Sequence, residues 1–361
     1  MKIAIFHDYF DEIGGAEITL LHLAKELGAT IFTTNIDKEA INRLGFYDIK
    51  IKSIGRVPKI RHIKQLLAQI KFSSFKLKTY DFFIFGGSYS IYASKNHKPN
   101  IWYCFSPLRG IYDLRYINYS KYNLLIQIIK EIQIKFDKKA IKNIDKIIAP
   151  SLNIKKRVRK YYDRKSVLIY SPVETSIFEH KFEKGYWLNI TRIDHYKRLE
   201  ILLKTFKKLK NEKLIVVGKA SRENEKYFRK LRKLRPSNVI FKEAVYHRQE
   251  IKELYSNCKG LITTAMNEDF GMSPVEAMAS GKPVIACNEG GYKETVINGK
   301  TGILIDNINE EKLAGEIKKM SKELKKNPNK YKSACQKQAK KFDVKIFIKK
   351  IKEEIKEMFK N

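Results

Sequence analysis

Cysteine is scarce in this chain, and its four copies (Cys104, Cys258, Cys287 and Cys335) are scattered, with no Cys-x-x-Cys pair and no His/Cys cluster at metal-ligating spacing. That excludes a disulfide scaffold and a zinc module, and it fits reduced thiols in a cytosolic protein. No apolar run approaches the length of about 18 residues that a membrane-spanning helix requires. The opening stretch MKIAIFHDYF carries a histidine and an aspartate and lacks a small-residue cleavage site, so it is not expected to work as a secretory signal. A cytoplasmic chain, free or peripheral at a membrane surface, is the expectation. Low-complexity segments and short-period repeats are absent. So is any G-x-G-x-x-G after a strand pattern, which argues against a dinucleotide oxidoreductase.

Negative charge is also in short supply. Lys and Arg number 73 against 39 Asp and Glu, a formal net charge of +34. Either lysines solvate most exposed faces, or the protein meets an anionic partner. Two segments concentrate the charge. Residues 56–78, RVPKIRHIKQLLAQIKFSSFKLK, hold seven basic residues and no acid, with apolar residues at roughly helical spacing. Residues 152–165, LNIKKRVRKYYDRK, hold seven against one aspartate. Such segments suit an anionic lipid surface, although 56–78 fits a helix packed on a core equally well. No nucleic-acid module is legible, and no nucleic acid is expected as a partner.

What is present is a folded chain: 361 residues with 43% hydrophobic content exceed one core and imply two domains. KIAIFH (2–7) reads as a buried strand, followed by a helix that closes at Gly28 and a strand in ATIFTTN. YDFFIFGGS (80–88) and PNIWYCFS (99–106) read as strands, 120–143 as a long amphipathic helix, and DKIIAPS as another strand. After a pause near Pro172 a second series begins with GYWLNITRI. It continues through a helix at 198–210, KLIVVGK, a helix at 222–234, NVIFKEAV, a helix at 248–257, GLITTA, PVIAC and GILID. The last ~50 residues read as helices alone. Alternating strands and helices predict doubly wound parallel sheets. The expected division is 1–172, 173–342, and a C-terminal helix 343–361 that crosses back to the first domain.

The most informative stretch is NEDFGMSPVEAMASGKPVIA (267–286). Ser273-Pro274-Val275-Glu276 reads as a helix start, with Ser273 as N-cap and Glu276 at N3, where it either closes a capping box or faces a ligand. A helix start directs free N–H groups and a positive dipole end at the preceding turn, which favours a phosphate. Gly271 lets the chain approach closely. Glu268, before the turn, either is solvated or accepts hydrogen bonds from sugar hydroxyls.

The whole stretch resembles the E-x7-E region of retaining glycosyltransferase family 4, which has the GT-B fold. The likeness extends to GGYKETVINGKTGILI (290–305), to NITRIDHYKRLEILLKTF (189–206) with its Arg-x4-Lys pair, to IYSPVETSIF (169–178), and to the Gly-Gly loop in HDYFDEIGGAEITLL. These motifs run in the family's order over about residues 2–305. LKTYDFFIFGGS followed by IWYCFSPLRGIYDL is similar to a mannosyltransferase-like subgroup. The chain departs from that subgroup at Phe105, where it has His, and from the wider family at Lys219-Ala220 and Asp269.

The resemblance implies a GT-B enzyme of two Rossmann-like domains facing across a cleft. It implies transfer of a hexose, mannose favoured, from a nucleotide sugar to a glycan or lipid-linked acceptor with retention of configuration. GDP-mannose is the favoured donor, with UDP-hexoses next and no other cofactor. Arg192 and Lys197 are implied on the diphosphate, Glu268 on the hexose and Glu276 on the ribose. Gly14, Gly15, Phe270, Gly271, Met272 and Ser273 complete the donor site. Asp8, Arg109 and Asp113 are implied on the acceptor side. No Asp-x-Asp occurs, so a transfer without a metal ion is expected. A sugar-nucleotide epimerase of the same fold, or a non-catalytic protein that binds an anionic surface, stays open at this point.

Overall fold

The computed structural model describes residues 1–114, 124–243 and 247–360. Residues 120–123 of the expected helix and 244–245 of the expected strand lie outside the described residues. The chain divides into two compact units, Met1–Tyr170 with Ile348–Asn361, and Ser171–Phe347.

In the first unit the elements run β1 (Ile3–Phe6), α1 (Gly15–Leu27), β2 (Thr30–Thr33), α2 (Lys38–Arg43), β3 (Ile51–Ser53), α3 (Arg61–Ser74), β4 (Phe82–Phe85), a 3-10 segment Ser90–Asn96, β5 (Asn100–Tyr103), α4 (Leu124–Ile141), β6 (Lys146–Ala149), α5 (Leu152–Tyr162) and β7 (Val167–Leu168). All strands are parallel, in the order β3-β2-β1-β4-β5-β6-β7. The inner strands β1, β2, β4 and β5 are buried at every position, as a sheet covered on both faces demands. Right-handed crossovers put α1 and α2 on one face and α3, α4 and α5 on the other. Phe6 centres the core, stacked on Phe85 at 5.2 Å and edge-on to Phe72 at 6.2 Å. The short elements α2 and β3 have no counterpart in the sequence reading. β3 is an edge strand of three residues, none fully buried, so it leaves no apolar run to detect.

The second unit continues with β8 (Tyr186–Ile190), α6 (Leu199–Lys208), β9 (Lys213–Val217), α7 (Glu225–Leu234), β10 (Val239–Lys242), α8 (Arg248–Asn257), β11 (Leu261–Thr263), α9 (Met272–Ala279), β12 (Val284–Cys287), α10 (Tyr292–Thr295), β13 (Gly302–Ile305), α11 (Glu310–Lys326), α12 (Lys332–Ala339) and α13 (Val344–Glu357). Its sheet is again parallel, in the order β10-β9-β8-β11-β12-β13. Trp187 is fully buried in it. α11 packs on α6 and α12 on α9. From Ile348 onward α13 belongs to the first unit, where Glu354 pairs with Lys146 at 2.7 Å and Phe359, just past the helix, meets Phe82 at 5.6 Å. All four cysteines are buried and none lies in a disulfide. Among the described residues no helix is long and apolar enough to cross a membrane.

His180 reports on the second unit's packing. Burial, with Lys282 and Lys332 beside it, pushes its imidazole down to about 4. A depressed folded-state pKa means the unfolded chain takes up the proton first as pH falls. Its contribution is therefore fully present above the ordinary histidine value of about 6.5 and is lost on the way down to the folded value. The melting temperature of the wild type should fall relative to His180→Gln as pH drops through that window. Parallel pH curves for the two proteins would refute it.

Candidate functional site

In doubly wound sheets the strand order reverses at one point, and the loops beyond the strand ends there diverge into a crevice. In the second unit this point lies between β8 and β11, which pair at Leu188 and Leu261. The loop after β8 carries Arg192 and Lys197; the loop after β11 carries Glu268. Three bonds stitch the two loops together. The Met266 amide donates to the Tyr196 carbonyl at 2.7 Å, the Thr264 hydroxyl to the Lys197 carbonyl at 2.7 Å, and the Arg198 Nε to the Thr264 carbonyl at 2.6 Å. A third loop, after β12, joins through Glu289, which accepts from Arg198 Nη2 at 2.9 Å and from the Asn267 amide at 3.0 Å. Arg198 and Asn267 both hold left-handed backbone, φ 52° and 48°, and these side-chain and amide bonds stabilise that strained geometry.

Across this frame Lys197 Nζ meets Glu268 Oε2 at 2.6 Å, with the two side chains only 11% and 17% exposed. Burial opposes the lysine's charge, yet the Glu268 carboxylate holds its pKa above the ordinary value. The ammonium also lies 4.9 Å from the centre of the Tyr196 ring. Arg192 is exposed, and its Nη2 donates to the Tyr196 hydroxyl at 3.1 Å. Its positive charge acts against that of Lys197. The Tyr292 hydroxyl sits between Thr263, at 2.5 Å, and Glu268 Oε2, at 3.4 Å.

The glycines are required by this packing. Gly290 has φ +56°, and a Cβ there would stand 2.3 Å from the Glu268 carbonyl; at Gly291 it would stand 2.5 Å from Phe270 Cα. The Gly291 amide donates to the Glu268 carbonyl at 2.8 Å. The strand-end turn bearing Glu268 is thus pressed against the Gly-Gly turn before α10.

The start of α9 differs from the expected one. Gly271, at φ +90°, is the N-cap and Met272 the first helical residue, so Ser273 is not the cap and Pro274 stands in the third helical position. A proline is tolerated there because the first turn's N–H groups have no acceptor within the helix. Its cap residue, a glycine, has no side chain with which to bond the first amides, and a helix dipole end of this kind favours an anion. Glu276 closes no capping box either. Its carboxylate accepts from the Tyr255 hydroxyl at 2.5 Å, and burial raises its pKa while that bond offsets part of the rise. Met272 and Ser273 are half-buried on the first turn. The Phe270 side chain is turned into the core against Phe342, 5.5 Å away, so only its backbone belongs to the turn.

The remaining expected residues lie in the first unit. Asp8 follows β1 and accepts from the amides of Ser88, Tyr89 and Ser90 at 2.7–3.0 Å; it holds the loop after β4. Gly14 caps α1, and its amide donates to Glu17 Oε2 at 2.8 Å, while Glu17 Oε1 bonds His7 Nε2 at the same distance. Burial works against both charges, and the mutual contact raises the pKa of His7 and lowers that of Glu17. A carboxylate of the chain itself thus occupies the amide at the Gly14-Gly15 turn. Arg109 and Asp113 form an ion pair at 3.0 Å, with Arg157 at 3.6 Å from the same carboxylate oxygen. Sequence reasoning missed Glu17, Tyr196, Arg198, Tyr255, Glu289 and Tyr292. Glu17, Tyr196, Arg198 and Tyr292 lie inside quoted motifs and Glu289 directly before one, whereas Tyr255 left no readable signal.

Residues 173–342 match the family described as Glycosyl transferases group 1. An uncharacterized glycosyltransferase of Methanocaldococcus jannaschii is 31% identical over 50% of this chain and 51% of its own length; the chain thus spans about half of that relative. An alpha-1,3/1,6-mannosyltransferase of Dictyostelium discoideum is 26% identical over 84% of this chain and 86% of its own. Among solved structures, Anabaena HepE in complex with UDP-glucose superposes with a TM-score of 0.80 at 18% identity. That match covers 99% of this chain and all of the other. The two parallel sheets are the GT-B fold, and the second unit carries a glycosyltransferase domain.

Gly290→Ala tests the pressed turn. The added Cβ meets a backbone carbonyl that cannot swing away, so urea unfolding should show a loss of about 1–3 kcal/mol. An unchanged midpoint would mean that the two turns are not in contact.

Proposed function

We propose that this chain transfers a hexose from a nucleoside diphosphate sugar to a hydroxyl acceptor, with retention at the anomeric carbon and without a metal ion. One observation carries the reading: the partly buried Lys197–Glu268 pair sits at the switch point of the second sheet, with Glu268 in the turn that leads into the glycine-capped start of α9. On donor binding the diphosphate takes Lys197, Arg192 and the first amides of α9. Glu268, released from the lysine, accepts from the sugar hydroxyls. Glu276, positioned by Tyr255, accepts from the ribose.

The chemistry asks little else of the protein. The bond from the anomeric carbon to the phosphate oxygen lengthens, and negative charge grows on the leaving diphosphate. Two cations and a helix dipole already fixed in place stabilise that charge, each donor typically contributing on the order of 3 kcal/mol. The acceptor hydroxyl enters on the same face and gives its proton to the departing phosphate oxygen, so no separate nucleophile is required. Glu17 already holds the Gly14 amide, so the second unit supplies the main anion seat in this reading.

Mannose from GDP-mannose is the preferred donor, supported by the 26% likeness to a mannosyltransferase over most of both chains. UDP-hexoses come next, supported by the UDP-glucose complex of the structural neighbour. The acceptor is a glycan or a lipid-linked sugar, with Arg109 and Asp113 of the first unit on its side.

A panel of GDP-, UDP- and ADP-sugars incubated with the purified chain and a glycan library should give one productive donor and a retained anomeric configuration by NMR. Turnover should persist in EDTA. Lys197→Met and Glu268→Gln should each lower kcat/KM by about 100-fold or more with unchanged circular dichroism. Epimerised nucleotide sugar without transfer, or wild-type turnover in either variant, would overturn the assignment.

A further inference from the structure

We infer that the outer face of α3 and α4 in the first unit docks on an anionic lipid bilayer. The observation is a pair of apolar lines left outside the core. On α4, Leu124, Ile128, Ile132 and Phe136 recur every fourth residue and are 48–74% exposed. On α3, Ile63, Leu66 and Ile70 form a second line, 46–56% exposed. Elsewhere among the described residues the exposed large apolar side chains are scattered singly, which is ordinary for a soluble surface.

The two helices belong to one layer. Both pack on the 3-10 segment Ser90–Asn96, and both lie on the same face of the seven-stranded sheet by the handedness of their crossovers. The inner face of α4 is mixed: Ala140 and Ile141 join the core, while Asp137 is buried beside them, accepts from the Tyr112 hydroxyl at 2.8 Å, and has its pKa pushed up to about 6 by burial. α4 therefore carries a row of hydrocarbon on its outer face in addition to the apolar residues it gives to the core.

The charge beside the lines selects the occupant. Lys135, Lys138 and Lys139 are exposed on α4, residues 56–78 hold no acid, and α5, in the same layer, exposes Lys155, Lys156 and Arg159. A second copy of a chain with a net charge of +34 would bring like charge onto this face. A nucleic acid has no use for the apolar lines. A bilayer with anionic headgroups takes both, with hydrocarbon entering the headgroup boundary and lysines at the phosphates. The apolar line on α4 was not foreseen in the sequence, and the docking stands independently of the donor site.

Vesicle co-sedimentation of the full chain tests it, with phosphatidylcholine vesicles with and without phosphatidylglycerol, at low and high salt. Binding should require the anionic lipid and weaken with salt. Ile128→Glu/Ile132→Glu should cut the partition coefficient by about tenfold or more, with melting temperature and nucleotide-sugar binding unchanged. Should that variant misfold, Ile129→Trp supplies a second readout, a blue shift of its emission on anionic vesicles alone. The inference is overturned by absence of binding to anionic vesicles, by equal binding of the folded glutamate variant, or by an unshifted tryptophan. A concentration-dependent dimer that the glutamates dissolve, or retention on DNA in place of vesicles, would overturn it as well.

Discussion

The ion pair between Lys197 and Glu268 is the constraint on which the site depends. Two charges taken largely out of water gain stability only where geometry and further hydrogen bonds offset the desolvation, and removing one partner of such a pair typically costs about 3–5 kcal/mol. The second unit meets that requirement by tying three loops to one another before the charges meet. Backbone bonds from Met266 and Gly291 and the Thr264 hydroxyl fix the loops, and Glu289 bridges Arg198 and Asn267. The pair is therefore held by the frame and does not hold it. That makes it suited to open for a ligand that carries both a negative diphosphate for the lysine and hydroxyls for the glutamate.

The two units meet the same topological problem with opposite chemistry. Each reverses its strand order, between β1 and β4 in one and between β8 and β11 in the other. In the first, an acid after β1 is spent on loop amides: Asp8 holds three of them, and Glu17 fills the helix start. In the second, α9 starts at a glycine with no side chain to cap it, and the charged groups face one another across the loops. Internal carboxylates thus quiet one switch point and leave the other receptive to an anion. This asymmetry lies in side chains, since both backbones are parallel doubly wound sheets.

Much of the framework was legible because parallel strands buried on both faces read as unbroken apolar runs, as in FFIF at 82–85 and VIAC at 284–287. The edge strand β3 and the short α2 were not, since three to six residues carry no period. Lys197 and Glu268 were singled out through the resemblance, but their contact could not be read, because it joins positions 71 residues apart. The Ser-Pro signal misplaced the start of α9. Gly271 at φ +90° cannot be helical, and the helix begins directly after it. Glu276 stood correctly on the helix, whereas its partner Tyr255 sits on α8, and no local pattern announces a phenol aimed at a carboxylate.

The central claim is that the donor separates the ion pair, the lysine going to phosphate and the glutamate to sugar. Calorimetric titration of the wild type and Glu268→Gln with a nucleoside diphosphate and with the matching nucleotide sugar tests it most directly. The variant is expected to bind the nucleotide sugar more weakly while binding the bare diphosphate at least as well as the wild type, because its lysine is already released. An equal loss of affinity for both ligands, or no loss for either, would contradict it.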